Sequence, residues 1–578
     1  MKRFWLPILA LVGVLGVAAP RAQDAPRPAY RTLNDRLRPR EYATLTEWQQ
    51  RAEYLREHIL ASAGLVPAPE KTPLAPQIFD EKQRDDYSVA KVYFESLPRF
   101  YVTGNLYRPS GAGPFPAILA PHGHWSYGRL ENTDINSVPA RAINLARQGF
   151  VVFTYDMIGY NDSRQLTHEF GGKRETLWGL TLAGLQLWNS IRSLDFLESL
   201  PEVDRDRIGV TGESGGGTQT FLVSAVDARV KVAAPVNMIS LHMQGGCLCE
   251  NEPGLRLDTN NVELGALMAP RPLLMVAATG DWTNETPQVE YPAMQRIYRL
   301  FNAENRVYSV QFEAPHNYNK DSREAVYAWM ARWLKQAPAD VKVAERPFTV
   351  ERLTDLLVFA GRPLPDGALT ASQLTDQWIT AARRQLEGTD RHVLQSALLH
   401  ALSYERQPPK SAPPSKIVVN AGADTAVDAA LARAGFTVRH VHPTPFDGAA
   451  AAKIAHFETY NRTAASQRVA DIVRMLDENP GAAVIAGGGW GLAALLAAAV
   501  APASRVVADV AQFDVNRDDA FVEHLFIPGL RRAGDLQTAM TMTTARVVVH
   551  NAGDKFTLDG ARVERDKLAA DRIVELLR

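Results

Sequence analysis

The sequence predicts an α/β fold in which a doubly wound, mostly parallel sheet is followed by a second, smaller unit of the same kind. Three observations carry this. Short apolar, β-branched runs alternate with stretches of helical period from Val89 to Lys335, and again from Lys416 to Arg578. At Ile208–Gln219, IGVTGESGGGTQ, one such run passes through G-x-S-x-G straight into a helical pattern. The second half then repeats landmarks of the first at a constant offset of 275, as from Ser214 to Gly489.

Composition sets the class. The chain has 578 residues, enough for two or three domains, with 46% hydrophobic and 22% charged residues, as in a globular protein. A net charge of −1 gives no field toward nucleic acid or an anionic membrane. Lys2 and Arg3 precede an apolar run, Phe4–Val17, too short to span a bilayer comfortably, and small residues follow at Ala18, Ala19 and Ala22. This is a signal-peptide pattern, so residues 1–23 are expected to be removed, leaving a periplasmic or secreted protein with no membrane segment. The rival is an uncleaved N-terminal anchor. Cys247 and Cys249 are the two cysteines; one intervening residue would strain a disulfide, and no histidine pattern stands near them, so a local structural role is expected rather than a metal.

Taken in order, Thr44-x-x-Glu47 reads as a capping box for a helix over Trp48–Leu60. Val89–Phe94 and Phe100–Tyr107 read as a strand pair, and Pro116–Ala120 as a buried strand ending in Pro121-His122-Gly123-His124-Trp125. A helix over Val138–Gln148, a strand over Phe150–Tyr155 and one long helix over Thr176–Leu200 follow. After the Ile208 strand come strands at Val230–Ala234, Pro272–Ala278 and Val307–Glu313, with helices at Gln288–Phe301 and Arg323–Lys335. The expected organisation is a catalytic domain over 24–340, a helical, Pro-rich linker over 341–410, and a second domain over 411–578.

The chemistry sits at strand C-termini. A Ser at a sharp strand-to-helix turn exposes its hydroxyl, and the next backbone N–H lies at a helix N-terminus. Ser214 is the expected nucleophile, Asp281 the orienting acid and His316 the base; this is the Ser…Asp…His order of α/β-hydrolases. The oxyanion donors expected are the backbone N–H groups of Gly215 and His124. Trp125, Tyr127 and Trp282 flank these residues, and Trp125 and Trp282, with Glu250 and Asn251 on a loop after a strand, are expected to bind substrate. A metal at His122-x-His124 lacks further ligands in the pattern, so neither metal nor cofactor is expected.

The first part resembles secreted bacterial α/β-hydrolases of the acetylxylan-esterase-like group, carbohydrate esterases related to dienelactone hydrolase. The resemblance rests on LYRPSGAGPFPAILAPHGHW, TGESGGGTQT, CENEPGLR, APRPLLMVAATGDWT and APHN, and covers about residues 40–340. It implies ester hydrolysis through an acyl-enzyme, without cofactor, on a carbohydrate-linked ester. Deacetylases of the group carry Gln after the nucleophile, where this chain has Gly215. The alternatives are a serine peptidase of the prolyl-oligopeptidase type, against which no propeller-like run of short strands precedes the domain, and a non-catalytic binding protein.

In the second half Gly487, Gly489 and Gly491 fall on Gly212, Ser214 and Gly216, and Pro528-Gly-Leu-Arg531 on Pro253-Gly-Leu-Arg256. Ile191-Arg-Ser-Leu-Asp195 also resembles Val473-Arg-Met-Leu-Asp477. With Gly489 at the nucleophile position and His550 the last histidine, this half is expected to be a catalytically dead copy. Gly489-Trp-Gly-Leu-Ala-Ala494 with Asp509 also fits a dinucleotide fingerprint, the rival reading for this half.

Overall fold

Alternating apolar side chains sort the central strands onto two faces. Ala117, Leu119, Val151 and Phe153 point into one core, and Ile118, Ala120 and Val152 into the other. Strands buried on both faces need helices on both sides, and the computed structural model, which describes residues 30–405 and 415–578, has that layering. The expected signal peptide lies outside the described residues, as does most of the Pro-rich stretch after Gln407. Among the described residues no helix is long and apolar enough to cross a membrane.

The large sheet has nine strands: β1 (Gln77–Gln83), β2 (Tyr87–Leu97), β3 (Phe100–Pro109), β4 (Phe115–Leu119), β5 (Val151–Tyr155), β6 (Val203–Glu213), β7 (Val230–Val236), β8 (Leu273–Gly280) and β9 (Val307–Pro315). Their order is β1-β2-β3-β5-β4-β6-β7-β8-β9, antiparallel through β3–β5 and parallel from β5 onward. β1 has no counterpart in the sequence reading. Its residues, QIFDEKQ, are polar and largely exposed, so this edge strand lacks the alternation that marks a half-buried one.

The helix expected over Thr176–Leu200 is two helices, Lys173–Leu177 and Leu182–Ser199. Gly179 takes a left-handed φ of 68° between them, and the Thr181 hydroxyl caps the second helix through Gly184 N. Thr44 does cap Leu45–Ser62, accepting from Glu47 N at 3.2 Å, while the Glu47 carboxylate reaches back to Ala43 N.

The small sheet is wholly parallel: β10 (Ile417–Ala421), β11 (Thr437–His440), β12 (Ala483–Ala486), β13 (Arg505–Asp509), β14 (Arg546–His550) and β15 (Arg562–Val563), ordered β11-β10-β12-β13-β14-β15. Strand for strand this is the order of β5-β4-β6-β7-β8-β9. Helices Gly491–Val500 and Asp535–Met542 stand where Gly215–Val226 and Asn261–Ala266 stand in the large unit. The large sheet joins β8 to β9 through helix Glu290–Leu300; β14 reaches β15 without one.

Residues expected as linker are divided between the two cores. Helix Ala371–Gly388 buries Leu374, Trp378 and Ile379 against the large unit, and Arg391–Leu402 buries Leu398 and Leu402 in the small one. The two units also dock reciprocally. Gly254 and Arg256 donate backbone N–H groups to Glu458 O (2.8 Å) and Thr459 O (3.0 Å), while Gly529 and Arg531 donate to Thr176 O (2.9 Å) and Leu177 O (3.1 Å). The repeated Pro-Gly-Leu-Arg is thus a docking element, each copy reading a segment of the other unit. Thr176 and Glu458 have the same spacing as Ile191 and Val473.

Candidate active site

β6 delivers Ser214 to the C-terminal edge of the sheet at φ 54°, ψ −124°, a strained conformation held because β6 and the following helix are both buried. A Cβ on Gly212 would lie 2.4 Å from Pro121 O, and one on Gly216 2.6 Å from the same atom, so the turn admits no side chain at either position. Ser214 N donates to Val236 O at 3.1 Å. Gly215 opens the helix, so its N–H is without an intrahelical acceptor.

His316 follows β9 and Asp281 follows β8. His316 Nδ1 and Asp281 Oδ2 are 2.8 Å apart. The other carboxylate oxygen accepts from Thr283 N at 2.7 Å and Thr283 Oγ1 at 2.5 Å, with the acid side chain only 2% exposed. The carboxylate therefore accepts a hydrogen bond from Nδ1–H, which keeps the proton on that nitrogen, and Nε2, which has no protein partner, is left as the basic nitrogen. Trp282 lies against the imidazole at a centroid distance of 4.4 Å, and Trp125 stacks on it at 6.0 Å and 17°. The Gly123 Cβ direction lies 3.1 Å from both Ser214 Cβ and Trp125 Nε1, so the loop after β4 spans the space from nucleophile to base.

That loop is held by Glu213, the variable residue of the motif, to which the sequence pattern assigns no role. Glu213 Oε1 accepts from Gly123 N (3.0 Å), Trp125 Nε1 (2.9 Å) and Asn136 Nδ2 (3.1 Å), and Oε2 from Arg141 Nη1 at 2.7 Å. Both members of this ion pair have fully buried side chains. The signal was present as an acidic residue ending an apolar strand, but its partners lie in other segments. The His124 N–H donates to no protein acceptor among the described residues, which leaves it free for an oxyanion. His122 is structural: Nδ1 donates to Gly123 O at 2.7 Å, and Nε2 accepts from Met157 N at 3.0 Å. Burial pushes its imidazole down to about 3, so it is neutral.

Glu250 and Asn251, expected to meet substrate, are buried supports of the cysteine loop. Glu250 Oε2 accepts from Gly246 N (2.9 Å) and Cys247 N (3.0 Å), and Oε1 from Thr218 Oγ1 at 3.1 Å. Asn251 Nδ2 donates to Gly245 O and Cys247 O, and its Oδ1 accepts from Tyr460 of the small unit at 2.7 Å. All their strong polar capacity is spent internally, which removes them from the substrate surface. Tyr127 is 57% exposed.

The expectation that the cysteines lack histidine partners is also corrected. Both thiols are free, and His124 Nε2 lies 3.1 Å from Cys249 Sγ while His168 Nε2 lies 3.2 Å from Cys247 Sγ. Hydrogen bonding from Cys249, against the opposing effect of burial, and then from His124 and His168, holds the Cys247 thiol far below the ordinary thiol range. The His124 ring fills the space beside Gly215, where a Cβ would come 2.5 Å from Cε1; this is why no Gln side chain follows the nucleophile.

In the small unit Gly489 has φ 88° and open space around its Cβ direction, and Trp490 lies across Gly422 at the mouth between β10 and β12. Asp509 accepts from Ala511 N and from Asn551 Nδ2. A groove of about 250 Å³ between the units, lined by Phe170, Lys173, Leu248, His456 and Phe526 among others, adjoins the cysteine loop.

Residues 71–240 match the acetyl xylan esterase (AXE1) family. A protein described as a hydrolase, YtaP of Bacillus subtilis (strain 168), is 26% identical over 237 residues, covering 37% of this chain and 76% of its own length. Among solved structures the methylesterase BT1017 is similar at 29% identity and a TM-score of 0.49, over 60% of this chain and 78% of that one. An acetyl xylan esterase from Paenibacillus sp. R4 is similar at 19% identity and a TM-score of 0.35, over 51% and 97%. The unit built on the large sheet is an acetylxylan-esterase-like α/β-hydrolase, an enzyme of the carboxylic ester hydrolase class.

Proposed function

We propose that this chain is an exported serine esterase that removes acyl groups, acetyl foremost, from a carbohydrate such as xylan. The observation that carries the reading is the His316–Asp281 pair, with Nε2 left without a partner, at the same C-terminal edge of the sheet as the strained Ser214 turn. His316 Nε2 takes the Ser214 proton as Oγ attacks the ester carbonyl, and the imidazolium is stabilised by Asp281. The N–H groups of Gly215 and His124 receive the developing oxyanion. The sugar hydroxyl leaves with the proton from His316, and water, activated by the same nitrogen, releases the acid from the acyl-enzyme.

The family match over 71–240 supports the acyl-ester substrate, and the partly buried Trp125 and Trp282 beside His316 support a sugar ring as its carrier. The N-terminal charge and apolar pattern supports export. The test is hydrolysis of p-nitrophenyl acetate beside a chromogenic peptide, then of acetylated, methyl-esterified and feruloylated glycans. Release of acetate from acetylated xylan is expected; turnover confined to the peptide would overturn the reading.

A further inference from the structure

Four side chains of metal-ligating type converge beside the nucleophile. His124, His168, Cys247 and Cys249 come from three separate segments, and their ligand atoms all lie within 4.8 Å of one another. Two imidazole nitrogens and two sulfurs at that spacing match the corners of a tetrahedron around one ion with bonds of about 2.0–2.3 Å. The surroundings are arranged as metal sites arrange them. His168 Nδ1 donates to Ile158 O at 2.6 Å, which fixes the tautomer and turns Nε2 toward Cys247. Glu250 receives the N–H groups of Gly246 and Cys247, and Asn251 braces Cys247 O, so the two sulfurs are presented on a loop held rigid from behind.

We propose that these four residues bind one Zn²⁺ ion in a closed, tetrahedral Cys₂His₂ site. Two thiolates and two neutral imidazoles neutralise a divalent cation, which suits a partly buried position, and sulfur ligands select a borderline-soft ion over magnesium or calcium. With all four positions filled by protein, the ion carries no reacting water. It ties together the loop after β4, the loop after β5 and the cysteine loop, and through His124 it fixes the loop that lies against Ser214. The proposal does not depend on the identity of the ester.

The test uses the mature full-length chain, purified reduced and dialysed. One zinc per chain is expected by elemental analysis. The Co²⁺-exchanged protein should show the intense visible bands of tetrahedral cobalt and a near-ultraviolet thiolate-to-cobalt charge-transfer band. His168→Gln should keep the charge-transfer band while weakening zinc affinity at least tenfold. Cys247→Ser with Cys249→Ser should lose the band, with folding checked by circular dichroism. If that double variant does not fold, the wild-type cobalt spectrum decides alone. A chain that takes up no zinc, an octahedral cobalt spectrum, or a Cys247–Cys249 disulfide in the native protein would each overturn the proposal.

Discussion

At the residue scale the site separates groups that react from groups that hold them. On the proposed mechanism Ser214→Ala should abolish turnover and labelling by a fluorophosphonate, and His316→Ala should lower kcat by roughly 10⁴–10⁶, because the members of such a triad act as a unit. Labelling that survives in Ser214→Ala would reassign the nucleophile. Glu213 belongs to the second group. Removing its charge with Glu213→Gln leaves the buried Arg141 guanidinium without its counter-charge, which should cost about 3–5 kcal/mol and also lower kcat, since a neutral amide oxygen holds Gly123 N–H and Trp125 Nε1–H less strongly than the carboxylate. Urea unfolding measures the first effect and steady-state kinetics the second. His122 sets a pH dependence of stability. Its folded value is depressed from 6.5 to about 3 by burial, so between those values the unfolded chain binds a proton that the native chain refuses. Its contribution is complete above about pH 6.5 and is lost as pH falls through that window toward 3. His122→Asn should be less stable at neutral pH but should show a shallower loss on acidification; an unchanged slope would assign the acid sensitivity to other groups.

At the element scale the strand-to-helix turn is the most constrained piece of backbone. Gly216→Ala would place a Cβ 2.6 Å from Pro121 O and 2.8 Å from His122 C, both backbone atoms, so the loop after β4 must move. We expect a loss of about 1–3 kcal/mol or more and loss of activity, read by thermal unfolding and by p-nitrophenyl acetate hydrolysis. Gly489→Ser is the contrasting substitution: nothing surrounds that Cβ direction, so the change should be tolerated apart from left-handed strain, and it should create no activity. What was legible in the sequence follows the same division. The strand-to-helix turn and the placement of Asp281 and His316 at strand ends could be read because each stands immediately after an apolar run, a local pattern. The Cys₂His₂ cluster could not, because its ligands lie on loops separated by 79 residues from His168 to Cys247 and by 125 from His124 to Cys249. Nor could the exposed edge strand β1, which has no apolar face, or the break at Gly179, where helical spacing continues on both sides. Glu250 and Asn251 were placed on the right loop, but a polar residue on a loop reads the same whether it faces solvent or, as here, braces the backbone beneath.

At the scale of the whole molecule the small unit is part of the structure on which the site rests. Tyr460 donates to Asn251, which braces the cysteine loop, and Thr459 Oγ1 donates to Asn251 O. Tyr460→Phe should therefore cost about 1–3 kcal/mol, the penalty for an unpaired buried acceptor, and raise the mobility of the loop carrying Cys247 and Cys249 as read by hydrogen exchange. A chain ending at residue 405 would leave Leu177 O without its Arg531 donor, strip Thr176 O of its Gly529 donor and uncover Trp178, whose indole N–H donates to Asp518 at 3.0 Å. That fragment should aggregate or unfold at lower temperature. A soluble, monomeric fragment with full turnover would show that the small unit is dispensable.

The reciprocal Pro-Gly-Leu-Arg contacts have an evolutionary consequence. They form an isologous interface closed within one polypeptide: each half is both socket and key for the other. In such an arrangement, selection on assembly acts on both halves alike, whereas selection on catalysis needs only one. In the catalytically dead copy that the sequence leads one to expect, the nucleophile position is then free to be Gly489 while Pro528–Arg531 keeps the letters of Pro253–Arg256. What the two halves still share is the part that holds them together.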